Sequence, residues 1–130
     1  MPPVIAVVDD DDAMRDALFE CLQERALTCR PFSRAETFLA AYASEAFDCL
    51  ITDLRMPGIG GLELLRRLKA AGSDLPTIVV TSATDAWSRA RATEEGAAAY
   101  LNKPVSDEVL IRHLATALGP DRMPRQTEDR

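Results

Sequence analysis

Val4-Ile5-Ala6-Val7-Val8-Asp9-Asp10-Asp11-Asp12 sets five apolar residues, three of them valine, directly against four carboxylates. A short, β-branched run that stops so abruptly reads as a strand buried on both faces. Beyond the aspartates, Met14, Ala17, Leu18, Cys21 and Leu22 recur at i, i+3, i+4, i+7 and i+8, which places them on one face of a helix. The first unit is therefore strand, acidic loop, helix.

The same unit repeats along the chain. Leu27 to Phe32 is a second strand, and Pro31, which cannot donate to a ladder, assigns it to an edge or a strand end. Ser33 and Glu36 have the spacing of a capping box and open a helix with Ala35, Phe38, Leu39, Tyr42 and Ala43 inward. Cys49 to Thr52 is the third buried run; it ends at Asp53, before the turn-rich Met56-Pro57-Gly58-Ile59-Gly60-Gly61. A third helix follows with Leu64, Leu65, Leu68 and Ala71 inward and Gly72 just past its end. Pro76 to Thr81 and Ala97 to Leu101 are the fourth and fifth strands. The helix between them, Asp85 to Glu95, has only small candidates for burial, Ala86, Ala90 and Ala92, and so little apolar area to anchor it. Its Trp87 fits either a partner contact or a local staple. The last helix, Ser106 to Leu118, is better built, with Leu110, Ile111, Leu114, Ala117 and Leu118 on one side. Residues 119–130 are polar with two prolines and read as a linker or disordered tail, leaving residues 1–118 as the domain.

A chain of 130 residues with 47% hydrophobic residues makes one domain and buries enough surface to need neither disulfides nor a structural metal. Its net charge of -6 argues against direct binding of nucleic acid. The longest apolar run, Phe38 to Ala43, is only six residues, and Met1-Pro2-Pro3 carries no basic start; no membrane span or secretory signal is expected, which points to the cytoplasm. Cys21, Cys29 and Cys49 lack metal-ligand spacing and read as buried free thiols. His113 lies on the flank of the last helix, beside Val109, and reads as exposed to solvent or a partner.

Five strand-then-helix units imply right-handed crossovers and an α/β doubly wound parallel sheet covered by helices on both faces. Ligands of such sheets sit beyond the carboxyl ends of the strands, at a topological switch point. The residues at those ends are Asp9 and Asp10, Asp53, Thr81, and Asn102-Lys103-Pro104. Clustered carboxylates repel one another unless a cation lies between them, and oxygen ligands with room for water suit Mg²⁺. An ionised Asp53 could then attack phosphorus, with Lys103 and Thr81 supplying an ammonium and a hydroxyl to the phosphoryl oxygens. Plainer readings exist for single residues: the aspartate run as a helix cap, to which Asp11 and Asp12 are assigned, and Asp53 as a turn aspartate. Four consecutive aspartates leave the register of the acidic pair open by one residue, although the strand end at Val8 favours Asp9 and Asp10.

These motifs, Val8-Asp9-Asp10, Asp53-Leu54-Arg55-Met56-Pro57 with Gly61, Ile78-Val79-Val80-Thr81 and Tyr100-Leu101-Asn102-Lys103-Pro104, resemble the receiver domains of two-component response regulators. The resemblance to this CheY-like family, closest to its FixJ-type branch, covers residues 4–118. It implies a (βα)5 fold with strand order 2-1-3-4-5 and Asp53 as phosphoacceptor. It further implies Mg²⁺ ligands from the Asp10 and Asp53 carboxylates and the Arg55 carbonyl, with Asp9 assisting through water. Lys103 would clamp the phosphoryl group, a cis peptide would precede Pro104, and Thr81 and Tyr100 would form a switch pair in which the ring turns inward on phosphorylation. Ser82 stands where alanine or glycine is frequent, which implies a changed rate and no loss of function. The family implies a sensor histidine kinase as donor, a signalling surface on the fourth helix, fifth strand and fifth helix, and homodimerisation on phosphorylation. It also implies a DNA-binding output domain or downstream partner, and no catalysis beyond the domain's own phosphorylation and dephosphorylation. The alternative, a Mg²⁺-dependent phosphohydrolase of the haloacid-dehalogenase type, wants a second aspartate where this chain has Arg55.

Overall fold

In the computed structural model, which describes residues 2–124, five strands alternate with five helices. They are β1 (Val4–Val8), α1 (Asp12–Glu24), β2 (Thr28–Phe32), α2 (Ala35–Tyr42), β3 (Cys49–Thr52), α3 (Gly61–Ala70), β4 (Thr77–Thr81), α4 (Ala86–Glu94), β5 (Ala99–Asn102) and α5 (Asp107–Leu118). All pairings are parallel, in the expected order β2-β1-β3-β4-β5. Pro31 sits on the edge strand β2, opposite Val7.

Strand side chains alternate between two cores. Ile5, Val7, Cys29, Cys49, Ile51, Ile78 and Val80 pack with Leu18, Cys21 and Leu22 of α1 and Leu110 and Leu114 of α5. Ala6, Val8, Phe32 and Leu50 face the other way, against Phe38 of α2 and Leu64 and Leu68 of α3. A smaller cluster, Leu54, Leu65, Val79, Ala92 and Tyr100, is all that α4 joins. Because β1 lies between β2 and β3, the chain turns to one side after β1 and to the other after β3. The switch point falls between the carboxyl ends of β1 and β3. There Val8 pairs with Thr52, so Asp9 and Asp53 are each one residue past a matched pair, and Asp53 N donates to Val8 O at 3.1 Å.

Local signals were met unevenly. Asp11 caps α1 by accepting from Ala13 N and Met14 N, Ser106 caps α5, and Gly72 follows the end of α3 at φ +74°. The capping box expected at Ser33 and Glu36 does not form. Arg34 takes the N-cap position without a side-chain bond, and Glu36 reaches across to accept from Ile59 N at 3.2 Å. Ala17, Ala43 and Ala71 are exposed, as are Ala86 and Ala90, since a methyl on the flank of a helix does not reach the sheet. In α4 Ala92 is buried as expected, and the other buried residue is Ser88. Past α5, Pro120–Arg122 form a 3-10 turn, Met123 packs on the core, and Arg122 pairs with Asp48 at 3.1 Å. Residues 125–130 lie outside the described residues. Among the described residues no helix is long and apolar enough to cross a membrane.

Gly61, the first residue of α3, is where the fold meets the site most tightly. A Cβ there would fall on the Asp53 carbonyl oxygen and 2.8 Å from Leu54 Cα, both of them backbone. Backbone cannot swing aside, so Gly61→Ala must displace the loop after β3. We expect a stability loss of about 2 kcal/mol in urea unfolding. A loss below the error of the measurement would mean that this loop yields freely.

Candidate functional site

Each site residue is delivered by the end of a strand. Asp53 follows β3 and is 7% exposed; Asp9 follows β1 and is 2% exposed. Asp10 is exposed, but one of its carboxylate oxygens lies with those of Asp9 and Asp53 in a cluster spanning no more than 4.8 Å. Of the four consecutive aspartates, Asp9 and Asp10 thus group with Asp53, while Asp11 caps α1.

Lys103, one residue past β5, reaches into this cluster. Its ammonium donates to Asp53 Oδ2 at 2.9 Å and to Asp9 Oδ2 at 3.1 Å. The remaining oxygens face backbone: Asp53 Oδ1 accepts from Leu54 N at 2.6 Å and Arg55 N at 3.4 Å, and Asp9 Oδ1 from Asp11 N at 3.0 Å. Burial raises the pKa of Asp9, and the bonds from Asp11 N and Lys103 only partly offset that. For Lys103 burial acts downward, but the bonds and charges of Asp53 and Asp9 outweigh it and leave the ammonium above its ordinary value. The Lys103-Pro104 peptide is cis, as expected. Three carboxylates against one ammonium form an oxygen-rich site with negative charge to spare, a donor set that fits a hard divalent cation.

Thr81, fully buried, ends β4, and its hydroxyl accepts from Ala83 N at 3.2 Å. Tyr100 is already inward: its hydroxyl donates to Ala83 O at 2.7 Å, and the Arg89 guanidinium lies 4.8 Å from the ring centroid. Arg55 meets Asp53 through its backbone N–H, while its side chain points outward to Asp85 at 3.5 Å. Asp85 caps α4 by accepting from Ser88 N.

Two residues near the site have roles that the sequence reading did not give them. Glu36 pins the loop after β3 from α2, and Asn102 donates to Thr81 O and Ala83 O. Neither role carried a signal, because the partners are backbone atoms. Trp87 is 64% exposed beneath Arg91, whereas His113 is half-buried. All three cysteines are buried free thiols; burial pushes Cys21 and Cys29 up to about 11 and Cys49 to about 12, which suits packing and not redox chemistry.

Fold and site together define a flavodoxin-like α/β protein with an acidic, lysine-bridged centre at its switch point. Residues 5–115 match the response regulator receiver domain, and the chain belongs to that family. The transcriptional regulatory protein FixJ of Azorhizobium caulinodans is 38% identical over 125 residues, covering 96% of this chain and 59% of FixJ. The DNA-binding transcriptional regulator NtrC of Salmonella typhimurium is 37% identical over 128 residues, covering 96% of this chain and 27% of NtrC. The chain thus spans little more than half of the one relative and about a quarter of the other. The crystal structure of FixJ-N is similar with a TM-score of 0.84 at 32% identity, covering 91% of this chain and 94% of that one. The chain is a two-component signalling domain homologous to FixJ and NtrC, and the haloacid-dehalogenase alternative finds no support.

The bridge itself is testable. Lys103→Met would leave Asp9 and Asp53 facing each other without their shared cation, and we expect it to lower stability by about 2 kcal/mol in metal-free buffer. Adding Asp9→Asn to it should return most of that loss. If Lys103→Met melts with the parent, the ammonium does not hold the carboxylates together.

Proposed function

We propose that this chain is the phosphorylation-activated switch of a two-component system, with Asp53 as the residue that accepts a phosphoryl group from a sensor histidine kinase. The observation that carries this reading is a buried Asp53 carboxylate held 2.9 Å from the Lys103 ammonium and grouped with the carboxylates of Asp9 and Asp10. A carboxylate oxygen of Asp53 forms the new bond to phosphorus as the bond between phosphorus and the donor imidazole breaks. Lys103 leaves the carboxylates to follow the phosphoryl oxygens, and the Thr81 hydroxyl donates to one of them. The Asp10 and Asp53 carboxylates and the Arg55 carbonyl would hold Mg²⁺, with Asp9 assisting through water. That cation would screen the repulsion between the carboxylate and the incoming group.

The added charge of about -1.5 to -2 acts through Thr81 and Tyr100 on α4, β5 and α5. An inward Tyr100 is one end of that switch. In this reading the domain occupies residues 1–118 of a cytoplasmic regulator and acts on transcription through an output domain or partner, with phosphorylated copies dimerising. It performs no reaction on other substrates. The small apolar share of α4, one buried apolar residue, Ala92, in nine, suits an element that must be remodelled.

Treatment with acetyl phosphate and Mg²⁺ should add one phosphoryl mass to the parent and none to Asp53→Asn, which is nearly isosteric but not nucleophilic. An acid-stable phosphoryl group on the variant would sink the assignment. Asp10→Ala should lose Mg²⁺ binding and labelling together while melting no lower than the parent in metal-free buffer, because one repelling carboxylate is gone. A clear drop in melting temperature would make Asp10 a structural residue instead.

A further inference from the structure

The loop after Thr81, residues 82–85, joins the candidate site to α4, and two side chains of β5 fasten it. The buried Ala83 carbonyl accepts two hydrogen bonds from β5, from the Tyr100 hydroxyl at 2.7 Å and from Asn102 Nδ2 at 2.8 Å. Tyr100 and Asn102 are two residues apart on a strand, and so share a face. The same Asn102 nitrogen also donates to Thr81 O at 3.2 Å, which already accepts from Lys103 N at 2.9 Å. A side-chain amide has two N–H groups, enough for both carbonyls.

We propose that Asn102 is a positioning residue that braces the loop after β4 and forms, with Tyr100, a redundant latch on the Ala83 carbonyl. A buried acceptor left without a donor destabilises whatever conformation strands it. If the Tyr100 hydroxyl alone held Ala83 O, every excursion of the ring would leave that buried carbonyl without a donor. With Asn102 in place the carbonyl keeps a partner, and the ring moves without releasing the loop. Conversely, Tyr100 holds the loop when the Asn102 amide lets go. Because Asn102 immediately precedes Lys103 and Thr81 immediately precedes the loop, the brace also sets where the Lys103 ammonium and the Thr81 hydroxyl stand relative to Asp53. This role in the switch rests on the phosphorylation reading above, while the latch itself does not.

The test is a double-mutant cycle on the full chain with Tyr100→Phe and Asn102→Leu, read first by NMR hydrogen exchange of the Ala83 amide without phosphodonor. Each single change should speed exchange by about threefold or less, and the pair by at least about tenfold more than the product of the two. Global unfolding, followed in urea, should be far less non-additive. Asn102→Asp, equal in size but without the donor, should behave as Asn102→Leu in the same cycle. It serves in its place should the leucine variant not fold. Trp87 emission after acetyl phosphate is the second readout, and the double variant should lose the phosphorylation-linked change that each single variant keeps. Exchange effects that simply multiply, or an Asn102→Leu change that is silent even beside Tyr100→Phe, would overturn the latch. Coupled exchange together with labelling of Asp53→Asn would instead overturn the phosphoacceptor reading alone.

Discussion

The ammonium of Lys103 between Asp9 and Asp53 is the interaction around which the rest of the molecule is arranged. Two buried carboxylates at neighbouring strand ends repel each other, and burial alone pushes Asp9 toward its neutral form. One cation within 3.1 Å of both makes the arrangement tenable. Holding it there requires β5 to end at the correct height relative to β1 and β3, although β4 lies between. The register does this: Thr81 pairs with Asn102, and Lys103 N donates to Thr81 O. A one-residue slip of β5 would turn Lys103 to the other face of the sheet and leave the carboxylates without it.

Such a site needs a stiff frame, and the apolar residues are distributed accordingly. Ile5, Val7, Val8, Leu50 and Ile51, all at most 1% exposed, fix β1 and β3, with large side chains from α1, α2, α3 and α5 on either side. The helix α4 contributes only Ala92 to a core cluster. At roughly 25 cal/mol per Å² of apolar area, one methyl anchors a helix far less than the leucine pair of α5 or the leucine triplet of α3. Stability is therefore high where the charges meet and low one loop away. The Arg66 and Arg91 guanidiniums both reach Glu95 at the end of α4, at 3.6 and 3.2 Å, but the two arginine side chains are themselves 48% and 34% exposed, so solvent partly screens these pairs.

Much of this was legible in the chain because strands buried on both faces leave a blunt signature: Val8 before Asp9, Thr52 before Asp53. The ends of such runs name the site residues directly, and the parallel-sheet rule brings them together. Small residues were poorer guides. Ala17 and Ala71 fit an apolar spacing but lie exposed, since alanine is tolerated on either side of a helix surface. Ser33-x-x-Glu36 has the pattern of a capping box, yet the carboxylate finds Ile59 N in a loop more than twenty residues away, which no local rule anticipates. Asn102 was read as part of a motif and not as a working side chain. Its partners, the carbonyls of Thr81 and Ala83, are present in every residue and leave no mark on the sequence.

Two connections lead from the site to α4, and their magnitudes differ. Arg55 touches the cap residue Asp85, but at 3.5 Å between side chains that are 69% and 47% exposed, where an ion pair contributes little and less still in salt. The other connection runs along the loop: Lys103 N donates to Thr81 O, and Ala83 N donates to the Thr81 hydroxyl, within two residues of that same cap. These groups are buried, and breaking one without replacement exposes the full cost of an unsatisfied acceptor or donor. Any displacement of Lys103 or Thr81 is therefore transmitted to the start of α4 more strongly along the loop than through the surface pair. Asp85 then converts a shift of the loop into a change at the helix terminus, because its carboxylate accepts from both Ser88 N and Ser88 Oγ. A helix that places only Ala92 in a core cluster has little apolar anchoring to resist it.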